Sequence, residues 1–198
     1  MADAGRVIAG TARGVRLAAP GAGTRPLGDR VKQTLFGILE PRLEGARVAD
    51  LYAGSGAGAI EALSRGAGSA VLVEQDAGAC RVIAENLRRA HLDDGVRVVR
   101  RDVIAWLADR AGAAADGPFD IVLVDPPYAD TRGLERTLEL LGPSLAPDAV
   151  VVAKHFWRDA PPPRVGMLAA ERDRRFGETA LTFYQPVDRA RNEEAGEA

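Results

Sequence analysis

From residue 46 onward the chain alternates short strand-like runs with longer helical stretches, and no other feature narrows the fold as far. Strand candidates lie at 47–51, 70–73, 96–99, 119–124 and 149–153, with helical stretches near 57–65, 77–90, 103–110 and 133–141 between them. The run Ile121-Val122-Leu123-Val124 is apolar throughout, as a strand covered on both faces requires. Alternation of this kind predicts an α/β fold, a mostly parallel sheet wrapped by helices through right-handed crossovers. Beyond Pro161-Pro162-Pro163 the order changes: 165–170 and 179–184 are strand-like, flank the charged stretch 171–178 and enclose no helix. They predict a C-terminal antiparallel hairpin with a charged turn.

Upstream of the alternation, 6–10 and 15–17 read as a hairpin around a glycine-containing turn. Asp29 is placed to cap a helix over about 30–40, with Val31, Leu35 and Leu39 on one stripe and Pro41 at its end. The expected organisation is therefore a hairpin-and-helix arm (1–42), a main α/β domain (43–186) and an acidic, disordered tail (187–198). The Ala/Gly run 111–117 reads as a surface loop.

Net charge is −2 over 198 residues, which gives no bulk signal for a nucleic-acid partner. Its distribution is uneven. Residues 1–35 carry Arg6, Arg13, Arg16, Arg25, Arg30 and Lys32 against only Asp3 and Asp29. A basic arm on an acidic body suits an anionic contact such as a phosphate backbone, and equally a solvated arginine-rich terminus. A lone cysteine, Cys80, excludes an internal disulfide framework and a cysteine-based zinc cluster, and His91 and His155 stand apart. No metal is expected. No apolar run is long enough to span a membrane, and together with the missing leader this predicts a cytoplasmic protein.

Three segments carry chemistry. Asp50-Leu51-Tyr52-Ala53-Gly54-Ser55-Gly56-Ala57-Gly58-Ala59 lies between a strand and a helix, the context a glycine-rich cofactor loop requires. On its own it suits a structural turn, a nucleotide or S-adenosylmethionine (SAM). The next strand ends in Glu74, 18 residues after Gly56, where a carboxylate can accept from both ribose hydroxyls of an adenosine. Asp102 follows the third strand and can reach an adenine amine or cap the helix after it. The third segment is Asp125-Pro126-Pro127-Tyr128, directly after the fourth strand. Two prolines fix an extended turn and leave the Pro126 carbonyl without a helical partner. A carboxylate and a carbonyl can then hold an exocyclic amine while Tyr128 offers a stacking face. Trp106 falls in a helical pattern and reads as core, whereas Trp157 suits either RNA stacking or rim packing.

The order of glycine loop, acidic residue and Asp-Pro-Pro-Tyr looks like a SAM-dependent amino-methyltransferase. Combined with Arg25-Pro26, Asp29-Arg30-Val31-Lys32, Leu35-Phe36 and Glu61-Ala62-Leu63-Ser64-Arg65-Gly66-Ala67, it resembles the bacterial 16S ribosomal RNA guanine(966)-N2 methyltransferases, the RsmD family, over about residues 6–185. The resemblance implies a Rossmann-like SAM-dependent methyltransferase fold, with a seven-stranded mostly parallel sheet, the C-terminal antiparallel hairpin and an N-terminal β-hairpin arm. It implies SAM as donor and S-adenosylhomocysteine as product, held by Asp50, Tyr52, Gly54, Ser55, Gly56, Glu74, Gln75, Asp102 and Val103. Asp125, Pro126 and Tyr128 would hold the acceptor guanine. Arg13, Arg16, Arg25, Arg30 and Lys32 would meet 16S rRNA in the small ribosomal subunit or its assembly intermediate, with the protein acting as a monomer. The chain departs from the family pattern at Leu27-Gly28, at Gln33, and at Lys154, where the family customarily carries Glu. A DNA adenine-N6 methyltransferase shares the Asp-Pro-Pro-Tyr loop but needs a duplex-reading element that these short connections do not house. A non-catalytic RNA-binding assembly factor on the same scaffold is the alternative from a different class.

Overall fold

The computed structural model describes residues 3–21 and 28–187, so the expectations for Arg25, Pro26 and Leu27 and for all but the first residue of the acidic tail lie outside the described residues. It divides into two compact units, Met1–Val103 and Ile104–Ala198.

The first unit opens with an antiparallel pair, β1 (Asp3–Arg6) and β2 (Arg16–Ala18). Helix α1 (Asp29–Leu39) follows, then a short 3-10 turn (Glu40–Arg42) that holds Pro41 in its first positions. Asp29 is the first helical residue rather than the cap, and its carboxylate pairs with Arg6 at 3.1 Å. Strands β3 (Arg47–Leu51), β4 (Ser69–Glu74) and β5 (Val96–Arg100) run parallel in the order β5-β4-β3, with helices α2 (Ala57–Ser64) and α3 (Ala77–Ala90) in the crossovers. Asp76 caps α3 by accepting from Ala79 N, and Arg88 and Arg89 in its last turn suit the negative end of the helix dipole. His91 closes that helix in the left-handed conformation, a structural role.

Every residue of α2 is buried. A helix apolar or small on all sides must be covered on all sides, and the hairpin arm provides part of that cover. Buried Glu61 accepts from the backbone N–H groups of Ile8 and Ala9 at 2.8 and 3.1 Å, and Ser64 exchanges hydrogen bonds with Ala9 and Ala12. The arm comes so close that a Cβ on Gly10, at φ +84°, would lie 1.7 Å from the Ser64 carbonyl oxygen.

Helix α4 (Val103–Ala108) leads into the second unit, which continues through α5 (Arg110–Asp116), β6 (Phe119–Val124), α6 (Thr131–Leu140), β7 (Leu145–Phe156), β8 (Arg164–Val165), β9 (Leu168–Phe176) and β10 (Thr179–Pro186). β6 and β7 are parallel, whereas β7-β10-β9-β8 are antiparallel. The α/β class, the mostly parallel strands and the C-terminal hairpin match expectation. Three details differ. Residues 110–116 form a helix, because Asp109 caps it by accepting from Gly112 N and alanine favours helix. The charged stretch expected as a turn is mostly strand, since β9 pairs with β10 as far as Phe176 and only Gly177, at φ +62°, and Glu178 turn the chain. Strands β3 to β10 number eight among the described residues rather than seven, the two-residue β8 being the addition. Trp106 is core, packed at 6.3 Å from the Phe119 ring.

Candidate active site

In the first unit the cofactor-loop residues gather at the carboxyl ends of β3, β4 and β5. Asp50 is buried at the end of β3 and its Oδ2 accepts from Ala59 N at 2.9 Å, which ties the strand to the first turn of α2. Tyr52 at φ 63° and Gly54 at φ 55° turn the chain out of the strand, and Gly56 at φ 76° starts the helix. A Cβ on Gly56 would press on Leu72 at 3.1 Å, so the loop is held to this shape from below as well as by its dihedrals.

Glu74 sits half-buried at the end of β4. One oxygen accepts from Gly54 N at 2.9 Å and the other from Asp76 N at 2.9 Å. Each carboxylate oxygen has a second lone-pair direction, so the group can fasten the loop and still accept from two hydroxyls. Ser55 is buried, Gln75 and Asp102 are exposed, and Val103 is buried at the start of α4. These residues share one strand-end edge of the unit, and a glycine loop, a half-buried carboxylate with lone pairs to spare and an apolar floor fit an adenosyl group bearing an amino acid.

Asn86 carries no sequence signal beyond its place on the buried stripe of α3. It is fully buried and uses its whole amide: Oδ1 accepts from Ala18 N at 2.8 Å, and Nδ2 donates to Ala18 O and Ser55 O at 2.9 Å each. It thus connects the arm to the glycine loop.

The basic residues of the arm divide. Arg13 and Arg30 are exposed, and Arg16 is exposed while pairing with Asp3 at 3.0 Å, a surface contact that a phosphate can replace at little cost. Lys32 departs from expectation. It is fully buried, its ammonium donates to the Arg6 carbonyl, and burial holds its pKa below the usual lysine value despite nearby Glu61. Placed inward to anchor the hairpin on α1, it does not belong to the RNA-facing charge.

In the second unit, Asp125 follows β6. Lys154 near the end of β7 holds both its oxygens, at 2.6 Å to Oδ1 and 2.8 Å to Oδ2. Burial pushes the Asp125 pKa up, and the Lys154 charge pulls against that rise. Among the described residues no donor reaches the Pro126 carbonyl, which leaves it open as an acceptor. The Tyr128 hydroxyl is fixed by Thr179 Oγ1 at 2.7 Å, and its ring meets Phe156 at 6.4 Å and the Lys154 ammonium at 5.3 Å. An oriented aromatic face therefore stands beside a carboxylate and a bare carbonyl, a set that can grip a planar base through an amine. His155 is buried and bonded to Thr182 at 2.9 Å, a structural role. Trp157 lies under the Arg175 guanidinium at 3.5 Å. Lys154 and Thr179 are the supports that sequence reading did not assign.

Among the described residues no group of three or more His, Cys, Asp or Glu is placed to hold a metal ion, and no helix is long and apolar enough to cross a membrane.

Residues 5–185 match the model of a family described as Conserved hypothetical protein 95. The ribosomal RNA small subunit methyltransferase D of Escherichia coli (strain K12) is 37% identical over 185 residues, covering 91% of this chain and 89% of that protein. A solved structure of a hypothetical protein from Thermus thermophilus superposes with a TM-score of 0.77 at 36% identity, covering 92% of this chain and 99% of its own. SMU.776, solved in complex with S-adenosylhomocysteine, shares the fold at a TM-score of 0.63 and 12% identity, covering 77% of this chain and 48% of its own.

Proposed function

Because the chain belongs to the Conserved hypothetical protein 95 family, we propose that it transfers a methyl group from SAM to the exocyclic N2 amine of a guanine in 16S ribosomal RNA. The observation that carries the amine assignment is the Asp-Pro-Pro-Tyr loop, where an anionic carboxylate and an open carbonyl stand beside a fixed aromatic ring. The ribosomal RNA substrate is supported by the name of the Escherichia coli relative. The partner is then the small subunit or its assembly intermediate.

Bound SAM supplies a sulfonium-activated methyl group. The chain's own residues do the rest by positioning. Gly54, Ser55 and Gly56 let the backbone approach the amino-acid end closely, the N–H groups of Gly54 and Gly56 being taken by Glu74 and the Ala53 carbonyl, with Asp50 holding their loop. Glu74 accepts from the ribose hydroxyls, while Gln75, Asp102 and Val103 flank the adenine. Tyr128 stacks on a guanine turned out of its RNA context. Asp125 and the Pro126 carbonyl accept the two N2–H bonds, which directs the nitrogen lone pair away from them. As the N–C bond forms and the S–C bond breaks, the amine carries a surplus proton. Asp125, its pKa raised by burial, is suited to receive it.

Mapping methylated guanines in 16S RNA from cells with and without the protein tests the reading. One N2-methylguanine that disappears with the protein is expected, and an unchanged methylation map overturns it.

Glu74→Ala is expected to weaken SAM binding by about 1.5–3 kcal/mol, through lost charge-assisted hydrogen bonds. Part of that loss comes from the freed Gly54 N–H. Titration calorimetry reads it, and unchanged affinity removes Glu74 from the site.

The Arg13→Ala/Arg16→Ala double variant is expected to weaken RNA binding and to flatten its salt dependence by about one to two phosphate contacts. SAM affinity should not move. A wild-type salt slope would show that these exposed arginines do not touch RNA.

A further inference from the structure

The Asp125–Lys154 pair does more than neutralise a half-buried charge. An ammonium has three N–H donors. Both oxygens of Asp125 lie on one side of that ammonium, at 2.6 and 2.8 Å, and so cannot occupy all three of its diverging N–H bonds, and the side chain keeps 12% of its surface exposed beside the Tyr128 ring. At least one donor therefore remains, adjacent to a carboxylate acceptor and beside an aromatic platform.

We propose that Lys154 is a specificity-determining residue that donates this remaining hydrogen bond to O6 of the target guanine while Asp125 accepts from the amide and amine edge beside it. The inference rests on the reading that a guanine amine is the methyl acceptor. The match is one of hydrogen-bond polarity. Guanine offers, side by side, the acceptor O6, the donor N1–H and the donor N2 amine. An ammonium next to a carboxylate is the complementary order. Adenine reverses it, with an amine donor where O6 stands and an acceptor at N1, so its amine would point at the Lys154 donors and its N1 lone pair at the Asp125 oxygens. Tyr128, held by Thr179, stacks on either base without discrimination, so polarity along this edge makes the choice.

The test compares kcat/KM for RNA carrying guanine with the same RNA carrying 2-aminopurine at the mapped target. The analogue keeps the N2 amine, so methyl transfer stays possible, but it lacks O6 and the N1 proton. The wild-type protein is expected to favour guanine by about 10- to 100-fold, the range for a hydrogen bond to a charged group. Lys154→Met is expected to shrink that ratio by about tenfold, because both proteins lose N1–H alike and only the wild type loses the O6 contact. Lys154→Gln retains a neutral donor and should hold an intermediate ratio, which covers the case in which Lys154→Met fails to fold. A wild-type ratio near one, or a ratio that neither variant changes, overturns the role of Lys154 while leaving guanine methylation standing. Absence of methyl transfer to the guanine RNA overturns the amine reading itself, and this inference with it.

Discussion

Asp125→Ala is expected to reduce methyl transfer by about 10²- to 10⁴-fold, the range for losing a positioned acceptor and proton-accepting group, with SAM affinity nearly unchanged. The residue lies in the loop after β6, whereas the residues assigned to the cofactor all belong to the first unit. The loss should therefore appear in kcat/KM for RNA and not in SAM titrations. Removing the carboxylate also leaves the Lys154 ammonium without its partner, so a lower unfolding midpoint should accompany the loss. Tyr128→Ala should cripple transfer with a milder effect on stability, because the hydroxyl it removes is bonded to Thr179 at a part-buried position. Wild-type turnover in either variant would remove the acceptor pocket from this loop.

The same residue sets a pH dependence whose direction follows from its surroundings. Burial raises the Asp125 pKa above the ordinary value of 3.8, with Lys154 opposing. Asp125 can take up the amine's surplus proton only when ionised, so activity should fall as pH drops through that raised value, giving an acid limb above the usual aspartate range. Lys154→Met removes the opposing charge and should move the limb to higher pH. A pH profile of kcat/KM for the free enzyme measures this, and an acid limb at or below 3.8 would contradict the assignment.

The second large effect is structural. Glu61→Ala is expected to destabilise the protein by about 3–5 kcal/mol, the cost of breaking a buried charge network. Its carboxylate, itself buried, holds the N–H groups of the half-buried Ile8 and Ala9 and bonds Arg65 at 2.8 Å. Its loss orphans two backbone donors and takes from Arg65 its buried partner, leaving that guanidinium the exposed Glu40. The arm should loosen, and RNA affinity should fall more than SAM affinity. Denaturant unfolding reads the stability, and Glu61→Gln, which keeps one acceptor, should fall between. A change below about 1 kcal/mol would mean that the arm is held by its apolar residues alone.

Whatever local pattern encodes was legible in the chain before any packing was known. The apolar run at 121–124 could only be a covered strand, and the repeated change between strand and helix periods required parallel strands. Gly54 and Gly56 marked the turn because L side chains rarely adopt the positive φ they take. Asp125-Pro126-Pro127-Tyr128 marked a constrained turn after the strand because proline restricts the backbone wherever it stands. Local patterns misled where pairing controlled the outcome. Residues 171–176 looked like a turn by charge, yet hydrogen bonding to β10 made them strand, with most of the charges left in solvent. The Ala/Gly run looked like a loop until the Asp109 cap made it a helix.

Which polar side chains face inward was settled by packing alone. Lys32 reads as one more positive charge in a basic arm, but the hairpin folds over it and turns the ammonium to the Arg6 carbonyl. Glu61 meets Ile8 and Ala9 across 53 and 52 residues of chain, and Asn86 joins Ala18 to Ser55 across 68 and 31. Lys154 finds Asp125 across 29. A helical or strand period specifies a face, and it is the element packed against that face which selects the partner. The loops themselves were therefore legible one residue at a time, whereas the supports that hold those loops in place exist only once the strands have paired and the arm has docked.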